Sequence, residues 1–172
     1  TLLFLLLILY FFNLSLIQYL GLEVIGMINR WQTEKLKHLL ALRRGVSLTG
    51  ARQVGKSTLA KSLALPSSIM WTLDNELIRK AAVDDPLSFV KHDFGQTLII
   101  DEIQKVPELL EAIKIVVDND NAKGQYLLTG SANLRFAKRV KESLAGRFGI
   151  VRLRPFSLGE LKGNSPRFLE NA

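Results

Sequence analysis

Hydrophobic positions follow two spacings along this chain, and the switch from one to the other predicts its elements. Ile28, Trp31, Leu36, Leu39, Leu40 and Leu42 recur mostly at helical intervals, and Arg43, Arg44 and Gly45 supply late positive charge and a stop, so 28–42 reads as an amphipathic helix. VSLTG (46–50) is a short apolar run expected to form a buried strand, and KSTLAKSLAL (56–65) a helix ended by Pro66. SIMWTLD (68–74) is a second strand, bounded by the turn formers Asp74 and Asn75. The stretch 76–96 is polar and broken by Pro86 and Gly95, which predicts short helices and loop. TLIID (97–101) is the next strand. After it Val106, Leu109, Leu110, Ile113, Val116 and Val117 mark one face of a helix, with Pro107 suited to its first turn. QYLLTGS (125–131) and GIVRLRPF (149–156) read as strands, with a helix over 132–146 between them.

Strands separated by helices predict an α/β fold: a three-layer core with a mainly parallel five-stranded sheet and helices on both faces. The strands are nearly continuous apolar runs, as expected when both faces are covered. With 172 residues, 48% of them hydrophobic, the chain can bury one core of ordinary size.

The opening of the chain departs from this pattern. Thr1 to Leu22 carries no charged side chain and predicts an apolar N-terminal helix. It is long enough for a membrane anchor, since about 20 apolar residues cross the hydrocarbon core of a bilayer. Arg30, Lys35 and Lys37 would then leave the remainder cytoplasmic. The alternatives are extraneous sequence upstream of a start at Met27, or a core helix; a signal peptide would need a basic start and a small-residue cleavage site. Residues 1–26 are therefore set apart as a leader, and the globular part begins near Met27.

Charge and composition narrow the chemistry. The absence of cysteine excludes disulfides, thiolate metal sites and cysteine nucleophiles, fits a reducing cytoplasm, and leaves His38 and His92 without ligand spacing. A formal net charge of +7 suits a polyanionic partner such as nucleic acid or a membrane surface. It equally describes a solvated surface, because the cations are mixed with glutamates in the predicted helices.

The segment GARQVGKS, between a predicted strand and a predicted helix, matches G-x-x-x-x-G-K-[ST]. Glycines let the backbone turn tightly and approach a phosphate, so that loop N–H groups and the helix dipole face the anion. Gly50, Ala51, Arg52, Gln53, Val54, Gly55, Lys56, Ser57 and Thr58 are the expected nucleotide-holding residues. Lys56 would reach the terminal phosphates and the Ser57 hydroxyl would ligate Mg²⁺. Arg52 either touches phosphate or is a solvated loop residue. TLIIDEIQ ends a buried strand in two carboxylates, at the edge where ligands of open α/β sheets collect. Asp101 is expected to hold Mg²⁺ and Glu102 to orient or deprotonate the attacking water, although an isolated Asp-Glu pair also suits a helix cap. Gln104 either helps place that water or starts a helix.

The blocks LTGARQVGKSTL, IIDEIQKVPELLEAIK, YLLTGSANL and ESLAGRFGIVRLRPFSLGEL resemble, in order and spacing, prokaryotic AAA-superfamily P-loop ATPases that carry a C-terminal domain of unknown function. The resemblance covers roughly residues 28–161. It implies a P-loop AAA-type ATPase core over 27–162, with 163–172 as the start of a truncated C-terminal region. It also implies ATP with Mg²⁺ rather than a guanine nucleotide, and a polar γ-phosphate sensor at Thr129 or Ser131. Arg147 sits where related ATPases place an arginine finger that enters a neighbouring subunit, which would make the protein a homo-oligomer; a plain surface arginine is the other reading. The implied function is Mg²⁺-dependent ATP hydrolysis coupled to a partner process. The alternative is a nucleotide-dependent binding module or nucleic-acid adaptor with weak or no hydrolysis.

Overall fold

The computed structural model of the chain describes residues 28–63, 65, 67–93, 95–131 and 134–163. The leader over 1–26 and all of 163–172 beyond Gly163 lie outside them. The described elements run α1 (Gln32–Leu42), β1 (Gly45–Gly50), α2 (Lys56–Ser62), β2 (Ser68–Thr72), α3 (Glu76–Asp84), α4 (Pro86–Val90) and β3 (Thr97–Asp101). A 3₁₀ turn (Ile103–Lys105) leads to α5 (Leu109–Asn119), β4 (Tyr126–Ser131), α6 (Leu134–Ser143), β5 (Phe148–Leu153) and α7 (Leu158–Leu161).

All the strand pairs are parallel, in the order β2-β3-β4-β1-β5. Successive side chains on a strand face opposite ways, and here the alternation divides apolar residues between two cores. Leu98 and Ile100 of β3, with Tyr126 and Leu128 of β4, pack with α3, α4, α5 and α6 on one face. Ile99 and Leu127, the residues between them, pack with α1, α2, β1 and β5 on the other. Both neighbours in each strand are therefore apolar, which is why these strands read as unbroken hydrophobic runs. Each fully buried aliphatic side chain contributes about 1.5–3 kcal/mol relative to exposure. At the edge, β2 keeps Ile69 and Trp71 more than a third exposed.

Several element boundaries differ from the sequence expectation, each for a local reason. The first helix begins at Gln32, because Arg30 is buried and bonded across the fold. The helix after the phosphate loop ends at Ser62, whose hydroxyl donates to the Leu59 carbonyl at 2.9 Å and competes with the helical ladder. Val106 precedes α5, since Pro107 disfavours the α region for the residue before it, and Val106 has φ −136° and ψ 75°. β5 stops at Leu153, beyond which the Arg154 carbonyl accepts from Arg30 and Pro155 has no N–H to offer.

Candidate active site at the carboxyl edge of the sheet

β1 delivers the chain into the phosphate loop at Gly50. A Cβ there would lie 2.6 Å from the Leu153 carbonyl oxygen and 3.0 Å from Val54 Cγ2, so only glycine lets β1 and β5 run together to this point. Gly55 caps α2 with φ 90°, a left-handed backbone that glycine adopts without cost. Gln53 is held at φ 62° without that freedom. Such a residue stores about 1–3 kcal/mol that the surrounding fold must offset, and strain of this kind collects at functional sites. Lys56 is 5% exposed and its Nζ donates to the Ala51 carbonyl at 2.8 Å, so the ammonium is curled over the loop. Ala51, Arg52, Gln53 and Thr58 are exposed, whereas Val54 is buried in the core.

The second half of the site comes from β3 and β4. Asp101, the last residue of β3, is 6% exposed and meets Ser57: the hydroxyl lies 2.8 Å from Oδ1 and 2.9 Å from Oδ2. Thr129, fully buried on β4, stands on the strand between β1 and β3. Its hydroxyl donates to Asp101 Oδ1 and accepts from the Glu102 N–H at 3.3 Å. Three elements thus share one carboxylate. Glu102 takes a left-handed backbone, φ 59° and ψ 39°, the second non-glycine residue of this kind among the described residues. Its Oε2 accepts from the Gln104 side-chain amide, whose Oε1 accepts from the Ser131 N–H at 3.1 Å.

A buried arginine supports the loop from below. Arg30 Nη1 donates to the Val54 carbonyl at 2.8 Å, Nη2 to the Arg154 carbonyl, and Nε to Glu160 Oε1 at 3.1 Å, while the guanidinium lies 4.2 Å from the Phe156 ring centroid. Glu160 also accepts from Trp31 N at 3.0 Å and Ser157 N at 2.9 Å, and its own N–H donates to Ser157 Oγ, a reciprocal capping box on α7. Burial pushes the Glu160 carboxyl up. The Ser157 and Trp31 N–H groups and Arg30 outweigh it and hold the carboxyl below its usual value. Between this cluster and the loop lies a cavity of about 470 Å³ lined by Ile28, Arg30, Gln53, Gly55, Thr58 and Phe156, among others.

Arg147 is elsewhere. It precedes β5 and therefore sits at the amino edge of the sheet, the far end from the loop. Its guanidinium closes on Asp118, Nη2 to Oδ2 at 2.8 Å and Nε to Oδ1; this hydrogen-bonded pairing raises the arginine's pKa and lowers that of the aspartate. A larger cavity, about 740 Å³, opens at the same amino edge near Thr97 and Gln125. Asp74 pairs with Lys105.

Residues 42–162 match the profile of a family described as an AAA domain. The chain belongs to the AAA domain family. It is 33% identical over 120 residues to two uncharacterized mycobacterial proteins, Mb2031c of Mycobacterium bovis and Rv2008c of Mycobacterium tuberculosis. The match takes in 69% of this chain and 27% of each relative, so the chain spans about a quarter of their length. Among solved structures, it is similar in fold to the Walker-type ATPase PabY2304 of Pyrococcus abyssi, at TM-score 0.56 and 18% identity over 78% of this chain and 55% of that one. It is also similar to Hsp104 in its ADP complex from S. cerevisiae, at TM-score 0.56 and 15% identity over 80% and 24%. The resemblance read from the sequence blocks is thus that of an AAA-type P-loop domain, and the α/β fold with a parallel five-stranded sheet is the one expected.

In this AAA domain the structure brings the phosphate loop, Ser57, Asp101, Glu102, Thr129 and Ser131 to one sheet edge and leaves Arg147 at the other. Sequence reasoning missed Arg30, read only as a charge flanking the leader, and Glu160, part of a family block without a role. The spacing Ser157-x-x-Glu160 was the available signal, since it is the pattern of a capping box. Among the described residues no helix is long and apolar enough to cross a membrane, and no three His, Asp or Glu side chains cluster as a metal site. A Mg²⁺ ion nonetheless fits Ser57 and Asp101: both offer hard oxygen donors, and Mg²⁺ in nucleotide sites takes few protein ligands beside phosphate and water.

Proposed function

We propose that this AAA domain binds Mg²⁺-ATP at the carboxyl edge of its sheet and hydrolyses it. The observation that carries this reading is the contact of Ser57 Oγ with both oxygens of Asp101: it sets a hydroxyl and a buried carboxylate together beside a lysine curled over a glycine-bounded loop. The loop N–H groups and Lys56, released from the Ala51 carbonyl, hold the β- and γ-phosphates. The cavity between Phe156 and Thr58 receives the nucleoside. The larger cavity at the amino edge touches none of the loop residues and has no place in this reaction. Ser57 and Asp101 would hold Mg²⁺, which would supply neutralisation of the phosphate charge. Glu102 accepts a proton from the attacking water as its oxygen bonds to the γ-phosphorus and the bond to the ADP oxygen breaks. Thr129 keeps Asp101 in place, which leaves Ser131, at the end of β4, to act as the sensor of the γ-phosphate. Preference for ATP rests on the family resemblance. Arg147 adds nothing to its own chain's site; a finger role would belong to a neighbouring copy and would first require its release from Asp118.

Phosphate release and thermal unfolding test the proposal. Chelation of Mg²⁺ is expected to stop hydrolysis, and Lys56→Ala to remove the stabilisation that Mg²⁺-ATP gives the folded chain. Glu102→Gln is expected to keep that stabilisation while hydrolysis falls about 10²–10⁴-fold. Equal hydrolysis by Glu102→Gln and wild type, or undiminished stabilisation of Lys56→Ala, would overturn it.

A further inference from the structure

We infer that Gln104 is a positioning residue for the general base, fixing the Glu102 carboxylate against the end of β4; the inference rests on the hydrolytic reading above. The two ends of its amide do different work. Nε2 donates to Glu102 Oε2, and Oε1 accepts from the Ser131 N–H at 3.1 Å. The opposite orientation would set an oxygen against a carboxylate and an NH₂ against an N–H, so the surroundings permit only one.

A helix-start role does not account for these bonds. The 3₁₀ turn Ile103–Lys105 has no side-chain cap, and the amide reaches out of its own turn to another strand. β3 ends at Asp101, its last pair with β4 being Ile100 with Leu128, while β4 continues to Ser131. Gln104 supplies the acceptor that a longer β3 would have offered to Ser131. The left-handed backbone of Glu102 turns the chain sharply enough for residue 104 to fold back on residue 102. The strained residue, the amide and the strand end therefore form one unit. Among the described residues the amide's hydrogen bonds run to Glu102 and Ser131 and not to Lys56, Ser57 or Asp101, the groups proposed to hold nucleotide and metal.

The test compares Gln104→Leu and Gln104→Glu with wild type in the full chain, reading kcat, KM and the stabilisation by Mg²⁺-ATP. Gln104→Leu is expected to lower kcat about ten- to hundredfold, the effect of one hydrogen bond to a charged group, with KM and nucleotide stabilisation unchanged within about twofold. Gln104→Glu keeps an acceptor for the Ser131 N–H, protecting the fold, but sets a like charge beside Glu102; its kcat is expected to fall at least as far. In a Glu102→Gln background, Gln104→Leu is expected to leave the residual rate where it was, because both changes act on one group. Three results would overturn the inference: an unchanged kcat in Gln104→Leu, a wild-type rate in Gln104→Glu, which would reduce the residue to a brace for β4, or parallel losses of turnover and nucleotide stabilisation. Active wild type with an indifferent Gln104→Leu sinks this inference alone, whereas inactive wild type sinks the proposed hydrolysis and this inference with it.

Discussion

The two edges of the sheet both carry arginine–carboxylate pairs, and they use them differently. Toward the carboxyl edge, Arg30 and Glu160 have side chains only 5% and 3% exposed, and the arginine also donates to two backbone carbonyls, one of them in the phosphate loop. At the amino edge, Arg147 and Asp118 are 27% and 38% exposed, and Arg44 shares the same aspartate from 3.5 Å. Water and salt screen the second pair, so its geometry is stabilising only weakly. The first has left water and depends on its partners. An ion pair withdrawn from solvent, with further partners on other elements, distinguishes the carboxyl edge from the amino edge.

Breaking the buried pair should have the largest effect. Arg30→Ala strands Glu160 and two carbonyls, and is expected to cost about 3–5 kcal/mol in urea unfolding. Replacing Arg30 and Glu160 together by apolar residues should recover much of that loss, because no uncompensated charge stays buried. Gly50→Ala comes next: the new methyl meets the backbone oxygen of Leu153, which cannot swing aside, so a loss of about 1–3 kcal/mol is expected, with weaker ATP binding in the same variant.

Acid titration sharpens the contrast. The Glu160 carboxyl is lowered in the folded state from a reference of 4.5. Its contribution is therefore fully present above that value and is lost as pH falls through the lower folded-state value. Unfolding free energy measured downward from pH 4.5 should fall more steeply for wild type than for Glu160→Gln. The smallest effect belongs to the other edge, where Asp118→Asn is expected to leave the unfolding midpoint unchanged at moderate salt.

Most of this arrangement was legible in the sequence, for reasons that can be named. Runs such as TLIID and YLLTGS are apolar on both faces because two cores flank the sheet, and the glycine–lysine–serine spacing carries its own geometry. Contacts between distant segments were not legible. Nothing local marks Arg30 as buried: its partners Val54, Arg154 and Glu160 are joined to it only by the closed fold. Gln104 invited two readings because its bonds run to Ser131 as well as to its own turn, and one strand end cannot be seen from another in a linear chain. Boundaries shifted where a proline or a side-chain bond cut an otherwise regular period, as at Val106 and Ser62.

The strand order has a consequence for how the protein is made. β2 and β3 are neighbours and can zip together early, but β1 lies between β4 and β5, both of which leave the ribosome long after it. The nascent loop at Gly50–Ser57 therefore waits for its first flanking strand until Tyr126–Ser131 has been synthesised, and for its second until Phe148–Leu153 follows. Such distant pairings close slowly, because the chain must lose loop entropy before the contacts form. A nucleotide could act as a folding template only after β5 has emerged, because until then the phosphate loop lacks the strand that Gly50 runs beside.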